Sequence, residues 1–273
     1  MPLVDLNSSL GESFGIWQRG MDDAMLRIVS SASIACGLHA GDPLVMQTTA
    51  GSARRAGVTV GAELGYPDLQ GYGQRDFNMT PYEIYVYSLY QIGGLAAICR
   101  ANNVKLEYVK LHGALYMRAA AELAAAKSIA CAIRDTDKTV ILLGQSGTCF
   151  EVAASDVGIP FAGEIFAHRG YREDGSLIPK GERGDVVSDL QAATQSVVRL
   201  LKEGVLVSSN GTALPMKASS IGIHGDYKGA AKLAFAVKEA LEANGFTIAG
   251  LRKVVESSSE SSSAPSSPAL GAL

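Results

Sequence analysis

The chain has 273 residues, of which 47% are hydrophobic and 19% are charged, and a formal net charge of −3 at pH 7. This length and composition suit one large α/β domain or two small ones, and the weak negative charge excludes the basic surface expected of a protein that binds nucleic acid or an anionic membrane. No apolar run approaches the roughly 18 residues of a membrane span, and the amino terminus does not resemble a signal peptide, so we expect a cytoplasmic protein. The four cysteines form no CxxC pair, and we expect them to be reduced thiols.

Apolar segments alternate with helical patterns through the first half of the chain. Leu3–Leu6 and Ile34–Gly37 predict strands, separated by a helical pattern over Asp23–Ser31. Asp42-Pro43 then opens a helix, because Asp is a favoured N-cap and Pro suits the first helical position. That helix is expected to run to about Ala56, followed by a strand over Val58–Ala62, a long polar loop over Gly65–Asn78, a helix from Thr80 to about Ala101 and a strand over Leu106–Leu111.

The same alternation continues through the second half. It predicts, in order, a helix over Ala119–Arg134, a strand over Thr139–Leu143, a helix around Glu151–Ala154, a strand over Ile159–Phe166, a polar loop over Tyr171–Gly184, a helix over Val186–Glu203, a strand over Ser219–Ile223 and a helix over Gly229–Ala243. Such alternation is typical of a parallel sheet with right-handed crossovers. Seven units without a topological break favour an incomplete α/β barrel, with seven (β/α) units, over an open doubly wound sheet. We expect this single barrel domain over residues 1–254 and a disordered Ser-rich tail over 255–273, because the tail has too little apolar surface to bury.

Histidines and carboxylates follow the predicted strands. His39, His112, His168 and His224 are the four histidines of the chain, and each comes directly after a strand. The carboxyl ends of parallel strands meet at one edge, where α/β proteins bind ligands, so we expect one site. Two chemistries remain open for it, a divalent metal that activates water and metal-free acid–base catalysis. The carboxylates near the same strand ends are Asp5, Glu12, Asp42, Glu63, Asp68, Glu164 and Asp226, and Asp42 has the alternative role of a helix cap.

Lys110 is unusual because it lies within an apolar strand end, Tyr108-Val109-Lys110-Leu111. A buried lysine needs a partner, so we expect its ammonium to meet a carboxylate neighbour or an anionic group of the substrate. The alternative is a lysine that faces solvent from the rim of the sheet. The chain has no GxxxxGK[ST] sequence, which excludes a Walker-type ATP site.

Several segments between about residue 3 and residue 250 form a collinear set of motifs. They are Asp5-Leu6-Asn7 with Leu10-Gly11-Glu12, residues 34–43 (IACGLHAGDP), Gly65-Tyr66-Pro67-Asp68, Tyr90-Gln91-Ile92-Gly93, residues 109–116 (VKLHGALY), Glu164-Ile165-Phe166-Ala167 and His224-Gly225-Asp226. Taken together, these segments resemble the LamB/YcsF family. This resemblance implies a seven-stranded (β/α) barrel of the glycoside hydrolase/deacetylase-like type, in agreement with the strand count. It also implies a role as the A subunit in ATP-dependent opening of the lactam 5-oxoproline to glutamate, with ATP used through the partner B and C subunits.

The chain departs from the family's pattern at several polar positions. The resemblance implies Asp at Ser9, Asn at Ser33, His at Glu63, Arg at Gln74 and Asp at His168. One interpretation is a diverged, catalytically weak or regulatory homologue that binds a small molecule or a partner subunit. The other is a rearranged site, in which an imidazole and a carboxylate have exchanged places between positions 63 and 168.

We therefore predict a hydrolase that acts on 5-oxoproline or another small cyclic amide. The expected catalytic residues are Asp5, Glu12, His39, His112 and His224. The expected substrate-binding residues are Asn7, Asp42, Lys110, Tyr116, Glu164 and Asp226. If a divalent metal binds, its expected ligands are His39, Glu63 and His168.

Overall fold

A computed structural model of the chain describes residues 1–226 and 229–263. Its centre is a parallel barrel of seven strands, in which each strand pairs with the next and the last pairs with the first. The predicted seven-stranded (β/α) barrel is therefore confirmed. The barrel strands are β1 (Leu3–Leu10), β2 (Ser31–Ala35), β3 (Thr59–Leu64), β4 (Leu106–Leu111), β5 (Ile141–Gly144), β6 (Phe161–Phe166) and β9 (Ser220–His224). Between β6 and β9 the chain forms a separate antiparallel ribbon of β7 (Val205–Val207) and β8 (Ala213–Pro215). A short strand, β10 (Thr247–Ile248), pairs with the start of β1.

Helices surround the barrel and bury apolar side chains against its outer surface. None of the helices in the described part of the chain has both the length and the hydropathy to cross a membrane. The helices are α1 (Asp22–Met25), α2 (Pro43–Ala56), α3 (Pro81–Ala101), α4 (Gly113–Ala121), α5 (Leu123–Asp137), α6 (Cys149–Val157), α7 (Leu190–Glu203), α8 (Ala230–Ala243) and α9 (Leu251–Ser263).

Capping residues define the starts of the two helices that were predicted most sharply. The Asp42 side chain accepts hydrogen bonds from the backbone amides of Leu44 and Val45 and so begins α2, while Gly57 ends it in the left-handed conformation. Thr80 and Glu83 form a reciprocal capping box at the start of α3. Both starts agree with the sequence-based predictions.

Polar residues explain where the strand and helix predictions were shifted. Strand β2 covers Ser31–Ala35 rather than Ile34–Gly37, because its serines face the barrel interior and leave no continuous apolar run. The helix predicted over Ala119–Arg134 is two helices, which meet at Glu122 in an extended conformation. Helix α4 consequently begins directly after His112, at the mouth of the barrel.

The carboxyl-terminal segment differs from its prediction. Helix α9 continues to Ser263, so the expectation of disorder from residue 255 was wrong for residues 255–263. Val254 is buried, and Val255 packs against a small cluster with Tyr108 and Leu251. These apolar contacts hold the start of α9 against the barrel. The remainder of the predicted tail, residues 264–273, lies outside the described residues.

The barrel interior is polar, which is unusual for a core. Side chains alternate in direction along a strand, and on β1 this places Asp5, Asn7 and Ser9 inside, where all are buried. They meet polar groups from other strands, so that hydrogen bonds cross this part of the barrel, while Tyr108, Ile141, Leu143, Ala162 and Leu251 form a small apolar cluster. Lys110 on β4 and Glu164 on β6 belong to the same interior.

Candidate active site

Two of the four histidines stack at the carboxyl-terminal end of the barrel. The rings of His39 and His112 are nearly parallel, with centroids 4.2 Å apart, and both are buried. Gly65 and Gly73 lie directly on these rings, and a Cβ atom at either position would collide with His39. Gly73 also has a φ of +66°, which L-residues rarely adopt. The Gly-rich loop after β3 therefore holds the two imidazoles in place by close backbone contact.

Two buried carboxylates, Glu12 and Glu63, complete a cluster with these histidines. One oxygen or nitrogen atom from each of Glu12, His39, Glu63 and His112 lies within 4.8 Å of the corresponding atoms of the others. We call these four residues the mouth cluster. Both oxygens of Glu12, Oε2 of Glu63 and both ring nitrogens of His39 have no hydrogen-bond partner among the described residues. Buried polar atoms are nearly always paired, so these atoms point to a ligand.

The tautomer of His112 follows from its neighbours. Its Nε2 atom lies 2.9 Å from the carbonyl oxygen of Tyr72. A carbonyl oxygen only accepts hydrogen bonds, and the amide nitrogen of Gln74, which lies 3.0 Å from the same Nε2 atom, also donates a hydrogen bond of 3.2 Å to that carbonyl. With Nε2 protonated towards Tyr72, Nδ1 keeps a free lone pair. Nδ1 lies 3.6 Å from Oε1 of Glu63, and that same oxygen accepts a hydrogen bond of 2.7 Å from the Ser9 hydroxyl. The lone pair of His112 is therefore directed into the mouth cluster.

Burial controls the charges in the mouth cluster. It raises the pKa of Glu12 well above the ordinary value of a glutamate, and the charge of Glu63 raises it further. Burial likewise lowers the pKa of His39 well below the ordinary value, and the neighbouring His112 adds to this effect. The cluster therefore combines an imidazole that favours its neutral form with a carboxyl group that holds its proton more tightly than an ordinary glutamate does.

The other two histidines form a second pair at the same end of the barrel. Nε2 of His168 and Nδ1 of His224 are 3.1 Å apart, so one nitrogen donates and the other accepts. Burial lowers the pKa of His168 to about 3, and the charge of Arg169 contributes to the shift. The sequence-based expectation that His168 joins His39 and Glu63 as a metal ligand differs from this arrangement, because the structure groups those two residues with Glu12 and His112 instead.

A cavity of about 520 Å³ opens beside the two pairs of histidines. This volume is ample for a small molecule. A cation from the loop after β6, Lys180, lies on its wall and is exposed to solvent. Groups that line the cavity and matter for its chemistry are Glu63, His112, Tyr116, Phe166, Lys180 and His224.

Lys110 lies in the barrel interior rather than on the cavity wall. Its ammonium forms an ion pair of 2.9 Å with Glu164 and donates a hydrogen bond of 2.9 Å to Asn7. The expected carboxylate neighbour is therefore present. Because the Lys110 ammonium is paired with both Glu164 and Asn7 and all three side chains are fully buried, this placement favours a structural role over the substrate contacts that the sequence suggested for them.

The remaining predicted residues occupy separate positions. Asp226 forms an ion pair of 2.7 Å with Arg19 at the rim. Tyr116, on α4, lines the cavity and packs against Phe166. Asp5 lies deeper in the barrel, where it accepts hydrogen bonds from the hydroxyls of Ser30, Ser31 and Ser220. The structure thus brings Glu12, His39 and His112 together, keeps His224 nearby, and places Asp5 outside the mouth cluster.

We expect Asp5 to make stability depend on pH. Burial raises the pKa of Asp5 from 3.8 to about 6, although the serine hydroxyls oppose the rise. A raised pKa stabilises the fold below the unfolded value, and this contribution disappears as the pH rises through the folded value. Between pH 4 and 6.5, the free energy of unfolding should therefore fall in the wild type by on the order of 2 kcal/mol more than in Asp5→Asn. Urea unfolding at several pH values measures this difference, and parallel curves for the two proteins would contradict it.

Asp42 caps helix α2 and does not line the cavity. We expect Asp42→Ala to lower the free energy of unfolding by about 1 kcal/mol, because two amides of the first turn lose their acceptor. Asp42→Ser keeps a capping oxygen but loses the second oxygen that accepts from the Gly15 amide, so it should recover only part of the loss. Chemical denaturation of the three proteins measures both effects. A normal stability combined with weaker substrate binding in Asp42→Ala would restore the sequence-based role in substrate binding.

Two residues that the structure places at the site were not predicted to be there from the sequence. Lys180 lies in the polar loop predicted over Tyr171–Gly184, and only the length of that loop indicated a function. Ser9 is a departure from the family's pattern, and its contact with Glu63 could not be anticipated without the barrel register.

The structure gives Glu63 contacts with Ser9 and His112, whereas His168 contacts His224. The carboxylate expected at position 9 is thus supplied from position 63, which is a better explanation than an exchange with position 168.

Comparisons with known proteins identify the family of the chain. The model of the LamB/YcsF family matches residues 4–256. The A subunit of 5-oxoprolinase from Clostridium beijerinckii is 42% identical over 251 residues, which cover 92% of this chain and 98% of that protein. The corresponding protein from Brevibacillus brevis is 43% identical over 251 residues and covers 91% of this chain and 98% of that protein. The crystal structure of a lactam utilization protein from Thermus thermophilus has a TM-score of 0.86 at 36% identity and covers 92% of this chain and 100% of that one. The match extends over nearly the whole length on both sides, and the chain belongs to the LamB/YcsF family.

Proposed function

We propose that the chain is a 5-oxoprolinase A subunit, which opens 5-oxoproline or a closely similar small lactam to the amino acid. The observation that carries this proposal is the mouth cluster of unpaired, buried carboxylates and imidazoles beside a cavity of small-molecule size. The similar proteins are named as the A subunit of 5-oxoprolinase and as a lactam utilization protein, and these names support the same substrate class.

The cavity suits a small molecule that carries a carboxylate next to an amide ring. Arg118 and Arg169, which also line it, are engaged by Glu122 and by backbone carbonyls, respectively. Lys180 makes neither an ion pair nor a hydrogen bond with the described residues, and its ammonium is free to hold the carboxylate of 5-oxoproline. Tyr116 and Phe166 offer apolar surface to the ring.

The mouth cluster supplies the proton transfers that lactam hydrolysis needs. Water attacks the ring carbonyl, a carbon–oxygen bond forms, the carbon–nitrogen bond breaks, and the nitrogen gains a proton. Glu12 accepts the proton of the attacking water, because its two oxygens are unpaired at the cluster and at least one of them remains available to the water. His112 is oriented by Tyr72 and contributes the lone pair of Nδ1 at the same point.

The energy for the reaction is proposed to come from ATP through the partner B and C subunits. The chain itself lacks a Walker-type motif, so nucleotide binding is assigned to the assembled enzyme. A cytoplasmic location fits this role, and all four cysteines are free thiols.

Reconstitution tests the proposal. The chain is combined with the B and C subunits encoded in its own genome, and glutamate is measured after adding 5-oxoproline and ATP. We expect glutamate only when all three subunits and ATP are present. The complete Clostridium beijerinckii enzyme serves as the positive control. If that enzyme turns over and the complete enzyme containing this chain does not, the chain is a regulatory or binding homologue and the proposal is wrong.

A further inference from the structure

We propose that the mouth cluster binds one divalent transition-metal ion, with Glu12, His39, Glu63 and His112 as its ligands. The four donor atoms already lie within 4.8 Å of one another. Two imidazoles and two carboxylates form a donor set that suits Zn²⁺, Mn²⁺ or Fe²⁺ and does not suit Mg²⁺ or Ca²⁺, which prefer oxygen ligands alone.

Unpaired atoms are the strongest evidence for this site. Glu12, Glu63 and His39 all contribute buried oxygen or nitrogen atoms that have no hydrogen-bond partner among the described residues. None of these three side chains is more than 4% exposed. An unpaired buried carboxylate is costly, and a cation at the centre of the cluster would satisfy one ring nitrogen of His39 together with carboxylate oxygens of Glu12 and Glu63.

Charge balance leads to the same conclusion. Glu12 and Glu63 lie close together in a buried position, and neither forms an ion pair with a lysine or arginine among the described residues. Two neighbouring carboxylates repel each other in such an environment. A divalent cation would neutralise both, whereas Lys180 on the cavity wall is exposed to solvent.

The surrounding contacts resemble the outer shell of a metal site. A metal-bound histidine usually donates its second ring N–H to a carbonyl or carboxylate, and metal-bound carboxylates are themselves hydrogen-bonded. His112 donates from Nε2 to the Tyr72 carbonyl and keeps Nδ1 for the ion. Glu63 accepts a hydrogen bond from Ser9 on Oε1 and leaves Oε2 free. These contacts orient both ligands before any ion arrives.

This proposal does not depend on the substrate, because metal binding is measured on the chain alone. The metal-free protein, prepared by dialysis against a chelator, is titrated with Co²⁺ while visible absorption is recorded, and Zn²⁺ is then added as a competitor. We expect one Co²⁺ per chain, with absorption bands that Zn²⁺ abolishes. Lack of Co²⁺ uptake by the wild type would overturn the proposal, whatever the outcome of the reconstituted activity assay.

Matched variants locate the ion. We expect Glu63→Gln and His112→Gln to lower Co²⁺ affinity at least about tenfold. His168→Gln makes the same change in the second histidine pair and should leave the affinity unchanged. Equal affinity in all three variants, or loss only in His168→Gln, would contradict the proposed ligands. If the variants of the cluster do not fold, X-ray absorption of the wild type with Zn²⁺ decides, since the proposal requires two imidazole ligands and a spectrum without imidazole scattering would overturn it.

Discussion

Glu12→Gln is expected to lower kcat for 5-oxoproline cleavage by at least about a hundredfold in the reconstituted enzyme. General acid–base groups typically contribute between about a hundredfold and ten-thousandfold to a rate. The amide keeps the size of the side chain but cannot take a proton from water. Glu12 is 4% exposed, and both of its oxygens lack a hydrogen-bond partner among the described residues, so the fold should tolerate the neutral amide. The measurement is steady-state glutamate formation with saturating ATP.

A matched control separates this loss of kcat from a loss of folded protein. Glu239→Gln makes the same chemical change at an exposed position on α8 and should leave kcat and KM at wild-type values. Thermal unfolding of both variants is recorded in parallel. If Glu12→Gln retains more than about a tenth of the wild-type kcat, Glu12 is not the proton acceptor and the proposed chemistry fails at its first step.

Lys110→Met is expected to lower the free energy of unfolding by about 3–5 kcal/mol. Removing one partner of a buried ion pair leaves an uncompensated buried charge, and the measured cost is in this range. Lys110 and Glu164 are both fully buried, 2.9 Å apart. Urea or guanidinium unfolding at neutral pH measures the loss. This expectation reverses the sequence-based idea that Lys110 mainly holds an anionic substrate.

The double variant Lys110→Met with Glu164→Gln provides the internal control. It removes the Glu164 charge that Lys110→Met leaves unpaired, so its free energy of unfolding should recover a large part of what the single variant loses. The effects of the two substitutions should therefore be strongly non-additive. Additive losses would show that the two side chains do not depend on each other. A normal unfolding midpoint combined with weak substrate binding in Lys110→Met would return this lysine to the substrate site.

Much of the barrel could be predicted from the sequence because its signals are local. The Asp42-Pro43 start of α2 and the Thr80–Glu83 capping box depend only on neighbouring residues. The alternation of strands and helices was equally clear, and it led to the correct number of barrel strands. The histidines were placed at the right edge because each directly follows a strand.

Contacts across the barrel could not be predicted, since they depend on strand register. The sequence suggested a pairing of Glu63 with His168, but the register of β1, β2 and β3 brings Ser9 to Glu63 instead. Glu12 was not expected among the proposed metal ligands, because its position depends on the turn after β1. Lys180 reaches the cavity from a long loop, whose path local patterns do not determine.

A crystal structure of the chain with 5-oxoproline tests the central claim most directly. The account predicts that the ligand lies in the cavity beside the mouth cluster, with its carboxylate at Lys180 and its ring carbonyl towards Glu12 and His112. Lys180→Met, prepared alongside, should lose the ligand under the same soaking conditions. Ligand bound elsewhere on the chain, for example in the cavity lined by Gln145 and Ser146, with the mouth cluster left free, would contradict the account.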